Sequence, residues 1–194
     1  MGDKISITAI VGSLRRDSFN RQLALAAREL MAKSPVPEGS LPVHMELLEY
    51  ADLPLFNQDD EHPAPPSVTR VRDMIKASGG IWFFTPEYNH YFSGVLKNLI
   101  DWLSRPPSET EGQVLAGKKA AVSGISIGMS GTLIAQDHLI SVLSFLNMKV
   151  MNQPRLAIPQ AREQTDPQGK LVLSTSLPFL ENQVRAFSDF LRQE

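Results

Sequence analysis

Apolar runs with the spacing of strands alternate with apolar repeats of helical spacing along the chain, and no other feature limits its possible folds so strongly. Residues 4–11, KISITAIV, are apolar and β-branched enough for a strand covered on both faces. Leu23, Ala24, Ala27, Leu30 and Met31 then recur at helical spacing until SPVPEGSLP stops the pattern. Further strands are predicted over residues 43–49, over Ile81 to Thr85, from Lys118 in KKAAVSGISIG, and within KVMNQPRLAI. Helices are predicted between them. One carries Val68, Val71, Met74 and Ile75 and ends at Gly79-Gly80, and one carries Val95, Leu96, Leu99, Ile100 and Leu103. Another runs from about Thr132 to Leu146, and Leu177, Leu180, Val184, Phe187 and Leu191 mark the last. The prolines of Asp52 to Pro66 exclude a continuous helix or central strand there, and the DPQG turn, Asp166 to Gly169, predicts a small excursion or hairpin. Five strands alternating with five helices specify a doubly wound α/β domain with a parallel sheet, expected as one domain over residues 1–194.

Such sheets bind ligands beyond the carboxyl ends of their strands, where the strand order reverses. In the flavodoxin-like order 2-1-3-4-5 the reversal lies between strands one and three; a Rossmann order is equally open to the sequence alone. The first order brings together GSLRRDSFN, Gly12 to Asn20, and TPEYN, Thr85 to Asn89. The first loop leads from strand into helix, where unpaired N–H groups and the helix dipole favour an anion. Ser13, Ser18 and Asn20 add short donors, and Arg15 or Arg16 adds full charge. The plainer alternative is a helix cap at Ser18 or Asn20 with solvated arginines. In the second loop, Pro86 fixes the backbone and Glu87, Tyr88 and Asn89 offer consecutive N–H groups beside an aromatic wall, which suits a planar ring with acceptors along one edge. Its plainer alternative is a turn with Asn89 capping the next helix.

Composition narrows the chemistry. A net charge of −2 supplies no basic face for nucleic acid, and the absence of cysteine removes disulfides, thiolate nucleophiles and cysteine-based metal sites. The short apolar N-terminal run is too brief for a signal peptide or a membrane span, so a soluble cytoplasmic protein without membrane partners is expected. His44, His62, His90 and His138 lack metal-ligand spacing, and no metal is expected. G-x-G-x-x-G after the first strand, the P-loop signature and G-x-S-x-G are all missing.

Taken with GVLKNLIDWLSR, LAGKKAAVSGISIG and VMNQP in order along nearly the whole chain, the two loops resemble the NAD(P)H-dependent FMN reductase family. That family has a flavodoxin-like fold and includes quinone, chromate and azo-dye reductases. The resemblance implies that Ser13, Arg15, Ser18, Phe19 and Asn20 bind the FMN phosphate. It places Pro86, Glu87, Tyr88 and Asn89 along the isoalloxazine ring, and brings the backbone at Ile125 and the side chain of Ser126 to its pyrimidine end. It further implies NADPH or NADH as co-substrate. Arg16, beside the phosphate loop's Arg15, is a candidate contact for the extra phosphate of NADPH. A small acceptor such as a quinone, azo compound, metal oxyanion or free flavin follows, as does a homodimer or homotetramer. The alternatives are a non-enzymatic electron carrier or a flavin-binding redox sensor. Tyr91 and Ser93 depart from the family's usual serine and proline, and the rings of Tyr91 and Phe92 are expected to narrow or stack the substrate pocket.

Overall fold

A computed structural model describes residues 4–193; the expected domain span reaches residues 1–3 and 194, which lie outside the described residues. The strands β1 (Ile5–Val11), β2 (Val43–Leu47), β3 (Gly80–Phe84), β4 (Lys119–Ile125), β5 (Lys149–Val150) and β6 (Leu156–Ile158) alternate with helices α1 (Phe19–Lys33), α2 (Pro66–Ala77), α3 (Gly94–Leu103), α4 (Leu133–Phe145) and α5 (Leu177–Arg192). The sheet order is β2-β1-β3-β4-β5, every pairing is parallel, and β6 also pairs with β4. This is the flavodoxin-like order, so the reversal falls between β1 and β3.

Alternation along the strands divides the core into two layers. Ile7, Ala9, Trp82 and Phe84 face α1 and α5, whose Leu23, Ala27, Val184 and Phe187 pack on them. Ile10, Ile81, Phe83 and Val122 point the other way, onto Ile75, Leu96, Leu99 and Leu139 of α2, α3 and α4. Burial on both faces is why β3 reads as an unbroken apolar run.

Three details differ from the sequence reading. The fifth strand is split: Lys149–Val150 pair with Lys119–Ala120, and Leu156–Ile158 with Ser123–Ile125. Pro154, between the halves, has no N–H for a ladder. The buried Gln183 of α5 fills the gap instead, its Nε2 donating to the carbonyls of Val122 and Pro154 at 3.0 Å each. Its Oε1 accepts from Ser123 Oγ at 2.6 Å, and that hydroxyl accepts from Trp82 Nε1 at 2.7 Å. The second departure is at Gly79-Gly80. The helix stops earlier, at Ala77, and Gly80 belongs to β3, where a Cβ would stand 2.4 Å from Leu191 Cδ2. Third, Asn89 does not cap α3. It shares a tight turn with His90, both at positive φ (52° and 60°), closed by reciprocal backbone hydrogen bonds between Tyr88 and Tyr91 at 2.9 and 3.0 Å. Ser93 is the cap, accepting from the Leu96 N–H at 3.3 Å. The DPQG excursion is a small antiparallel loop closed at Thr165 and Leu171. Among the described residues, no helix is long and apolar enough to cross a membrane.

Candidate functional site

The loops leaving β1, β3 and β4 meet at one end of the sheet around a cavity of about 260 Å³. Its walls are Ser13, Arg15, Ser18, Phe19 and Asn20 from the first loop, Pro86, Glu87 and Tyr88 from the second, and Ile125, Ser126 and Ile127 from the third. Three segments far apart in sequence therefore form one cleft. Asn89 stands outside this lining, at the turn, and Ile127 is an addition that only its place beside Ser126 in the sequence pointed to.

The first loop is held open by bonds at its base. Gly12 N–H donates to Phe84 O at 2.8 Å, and Ser93 Oγ donates to Gly12 O at 2.6 Å. A Cβ on Gly12 would lie 3.0 Å from Pro86 Cδ, so glycine is what lets the two loops approach. Tyr50 OH donates to Val11 O at 2.6 Å; burial, with Glu49 nearby, pushes that phenol well above its ordinary range and keeps it a donor. Beyond this base the chain enters α1. Ser18 is its N-cap, with Oγ accepting weakly from the Arg21 N–H at 3.4 Å. The backbone N–H groups of Phe19 and Asn20 have no acceptor among the described residues. The guanidinium of Arg15 sits 5.6 Å from the centroid of the Phe19 ring, at the same helix end. Two orphan donors, two hydroxyls and a cation at a helix N-terminus form a phosphate-binding arrangement.

Two assignments need correction. The Asn20 side chain is not free for a ligand: it is nearly fully buried, with Nδ2 donating to Ile125 O at 2.9 Å and Oδ1 accepting from the Ile125 N–H at 3.0 Å. That pincer joins the β1 and β4 loops. It also takes the Ile125 N–H and one lone pair of the Ile125 carbonyl, so that only the second lone pair of that oxygen is left to meet a ring edge. The Ser126 N–H is likewise taken, by Ile158 O at 3.1 Å, whereas its hydroxyl has no partner among the described residues. Asn20 retains its backbone N–H as the group it brings to the cleft.

Glu87 plays a part that the sequence did not reveal. Its carboxylate accepts from Ser130 Oγ at 2.9 Å and from the Ala135 N–H at 3.0 Å. A carboxylate there complements the start of α4, whose own N-cap residue, Thr132, makes no capping bond. Nothing in the local sequence signals this, since Thr132 is itself a residue type that caps helices. The N–H groups of Glu87 and Asn89 donate to no acceptor among the described residues, and the Tyr88 side chain is more than half exposed beside the cleft. Phe92 and Tyr91 do not narrow the cavity. Phe92 is buried in the α3 layer, while Tyr91 stacks on Phe92 and on His138 of α4, with ring centroids 4.6 and 4.5 Å away. Among the described residues, no three His, Cys, Asp or Glu side chains converge to hold a metal.

Comparison with known proteins extends these observations. A family model described as NADPH-dependent FMN reductase matches residues 5–163. The chain is 38% identical to an NAD(P)H-dependent FMN reductase of Pseudomonas aeruginosa over 194 residues, all of this chain and 98% of the relative. It is 35% identical to a 2-hydroxy-1,4-benzoquinone reductase of Burkholderia sp, covering 97% of each chain. A quinone reductase of Escherichia coli K12 is 36% identical, covering 100% of this chain and 98% of the relative. Among solved structures, the flavoenzyme NAD(P)H:(acceptor) oxidoreductase FerB of Paracoccus denitrificans superposes with a TM-score of 0.81 at 34% identity, over 96% of both chains.

Proposed function

The chain belongs to the NADPH-dependent FMN reductase family and is an NAD(P)H oxidoreductase that uses FMN; from that premise we propose that the cleft at the ends of β1, β3 and β4 is its flavin site. The observation that carries this reading is the pair of orphan N–H groups at Phe19 and Asn20 facing the same helix end as Arg15, Ser13 and Ser18. These groups would hold the phosphate. The N–H groups of Glu87 and Asn89, the ring of Tyr88 and the hydroxyl of Ser126 would border the isoalloxazine ring. When bound, FMN supplies the hydride chemistry. The residues of the cleft would bind and orient it, and the N–H donors would favour negative charge along the ring edge.

The acceptor proposed is a quinone. Tyr88 and Ile127 line the cleft and still expose 55% and 60% of their surface, an apolar border suited to a planar aromatic molecule. With donor and acceptor sharing one opening, the first must leave before the second enters. Purified protein is therefore expected to take up added FMN with the visible absorbance of bound flavin, to oxidise NADPH with benzoquinone, and to give parallel double-reciprocal lines. Failure to take up FMN would refute the flavin site, and intersecting lines would refute the shared opening.

We also propose that this single domain works as a homodimer in the cytosol, where its nicotinamide reductant is available. Helix α4 leaves three large apolar side chains, Leu133, Ile134 and Phe145, exposed, Phe145 to 88%. An apolar face of that kind calls for a covering surface, and a second copy, paired about a two-fold axis, supplies one. Sedimentation is expected to report a dimer for the wild type and a shift toward monomer for Phe145→Glu with Ile134→Glu. A monomeric wild type at micromolar concentration would refute it.

A further inference from the structure

On the other side of the phosphate loop lies a second cavity, of about 240 Å³. It shares Ser13 and Arg15 with the flavin cleft, so the loop is a partition between the two. The lining it does not share includes Leu14, Arg16, Arg21, Glu49 and Tyr50. With Arg15 assigned to the FMN phosphate, two further guanidinium groups remain, more cationic charge than one phosphate requires. Arg16 is exposed and has no ion-pair partner among the described residues. Arg21, on the first turn of α1, is held by Glu49, with Nη2 2.6 Å from Oε1.

Glu49 is itself fixed in place. It follows the end of β2, and its carbonyl accepts from Arg70 Nη1 at 2.9 Å, while Arg70 Nη2 donates to Asp52 at 2.7 Å. The adjacent Tyr50 is buried and anchored to Val11, giving the pocket a rigid floor. The backbone of Glu49 therefore has a defined position, and its carboxylate, paired with Arg21, does two opposing things. It occupies one fork of Arg21 and repels any dianion that approaches, and it offers an acceptor to a sugar hydroxyl.

The two nicotinamide donors differ by one group, a phosphate on the adenosine 2′-oxygen where NADH has a hydroxyl. Resting on the flavin-site reading above, we propose that this pocket takes the adenosine ribose of the nicotinamide donor. Arg16 and Arg21 bind the 2′-phosphate of NADPH. Glu49 sets the preference between donors, limiting the pull on NADPH by holding Arg21 and accepting from the free 2′-hydroxyl of NADH.

The test uses FMN-loaded protein whose flavin content has been measured, so a loss of flavin is seen separately from a loss of nucleotide binding. Adenosine 2′,5′-bisphosphate and adenosine 5′-monophosphate are titrated calorimetrically, without turnover. The bisphosphate is expected to bind at least about tenfold more tightly. Arg16→Gln and Arg21→Gln should each weaken it about fivefold or more with flavin content and melting temperature unchanged. Glu49→Gln should tighten it about threefold and raise the KM for NADH. Equal affinities for the two nucleotides would overturn the proposal, and so would a double arginine variant that binds the bisphosphate like wild type. Protein that never takes up flavin would instead refute the flavin-site reading.

Discussion

Replacing Arg15 with alanine is expected to leave the protein folded and strip it of most of its flavin, raising the FMN dissociation constant on the order of 100-fold. Arg15 is exposed, and its internal contacts are a hydrogen bond to the neighbouring Asp17 carbonyl and its position over the Phe19 ring. Neither contributes to the core, so the melting temperature of the apoprotein should hardly change. A bound phosphate would lose a charge-assisted, fork-shaped partner worth about 1.5–3 kcal/mol, at a helix end where two backbone N–H groups and the dipole remain. Arg15→Lys keeps the charge but not the fork and should fall between, with a loss of about tenfold. Fluorescence titration of apoprotein with FMN measures both. An alanine variant within about threefold of wild type would place the phosphate elsewhere.

What the sequence made legible were the features that depend on neighbours a few residues away. The alternation of strand and helix spacing, a helix cap at Ser18 or Asn20 and the DPQG loop are local, and all three are in the structure, with Ser18 as the cap. The cleft was legible because the doubly wound arrangement admits few places where two strand ends face each other. What remained hidden depends on partners distant in the chain. The fifth strand reads as continuous because nothing local announces that Gln183, on the last helix, supplies the missing ladder contacts beside Pro154. Asn20 looks like a free donor until Ile125, 105 residues later, is placed against it. In the sequence Glu87 offers only its N–H to a ring edge, and the role of its carboxylate emerges once the start of α4 is placed beside it. Tyr91 and Phe92 follow TPEYN directly, yet positive φ at Asn89 and His90 turns them toward α3 and α4. In each case the residue type was right for a polar contact or a ring stack, and only the fold decided which group received it.

Asn20 gives the sharpest separation between a ligand contact and a structural bond. Asn20→Ala is expected to destabilise the apoprotein by about 2–4 kcal/mol, because the buried N–H and C=O of Ile125 lose their partners together. For a chain of this size that lowers the melting temperature by about 5–15 °C. Asn20→Asp should be at least as harmful, since it sets a carboxylate, almost fully buried, against the Ile125 carbonyl oxygen. Were the Asn20 side chain only a phosphate donor, the alanine variant would melt like wild type without flavin and differ only in FMN affinity. With the pincer broken, the variant should instead melt early in both states. Added FMN should recover part of the loss, because binding to the folded form pulls the equilibrium toward it and the backbone N–H groups of Phe19 and Asn20 survive the substitution. The β1 and β4 loops that the pincer joins are two of the three walls of the cleft, so the affinity should also fall, by about tenfold, through misplacement of intact donors. Apoprotein melting curves for Ala, Asp and wild type, measured beside the FMN titrations, separate the two roles, and unchanged apoprotein stability in Asn20→Ala would refute the structural one.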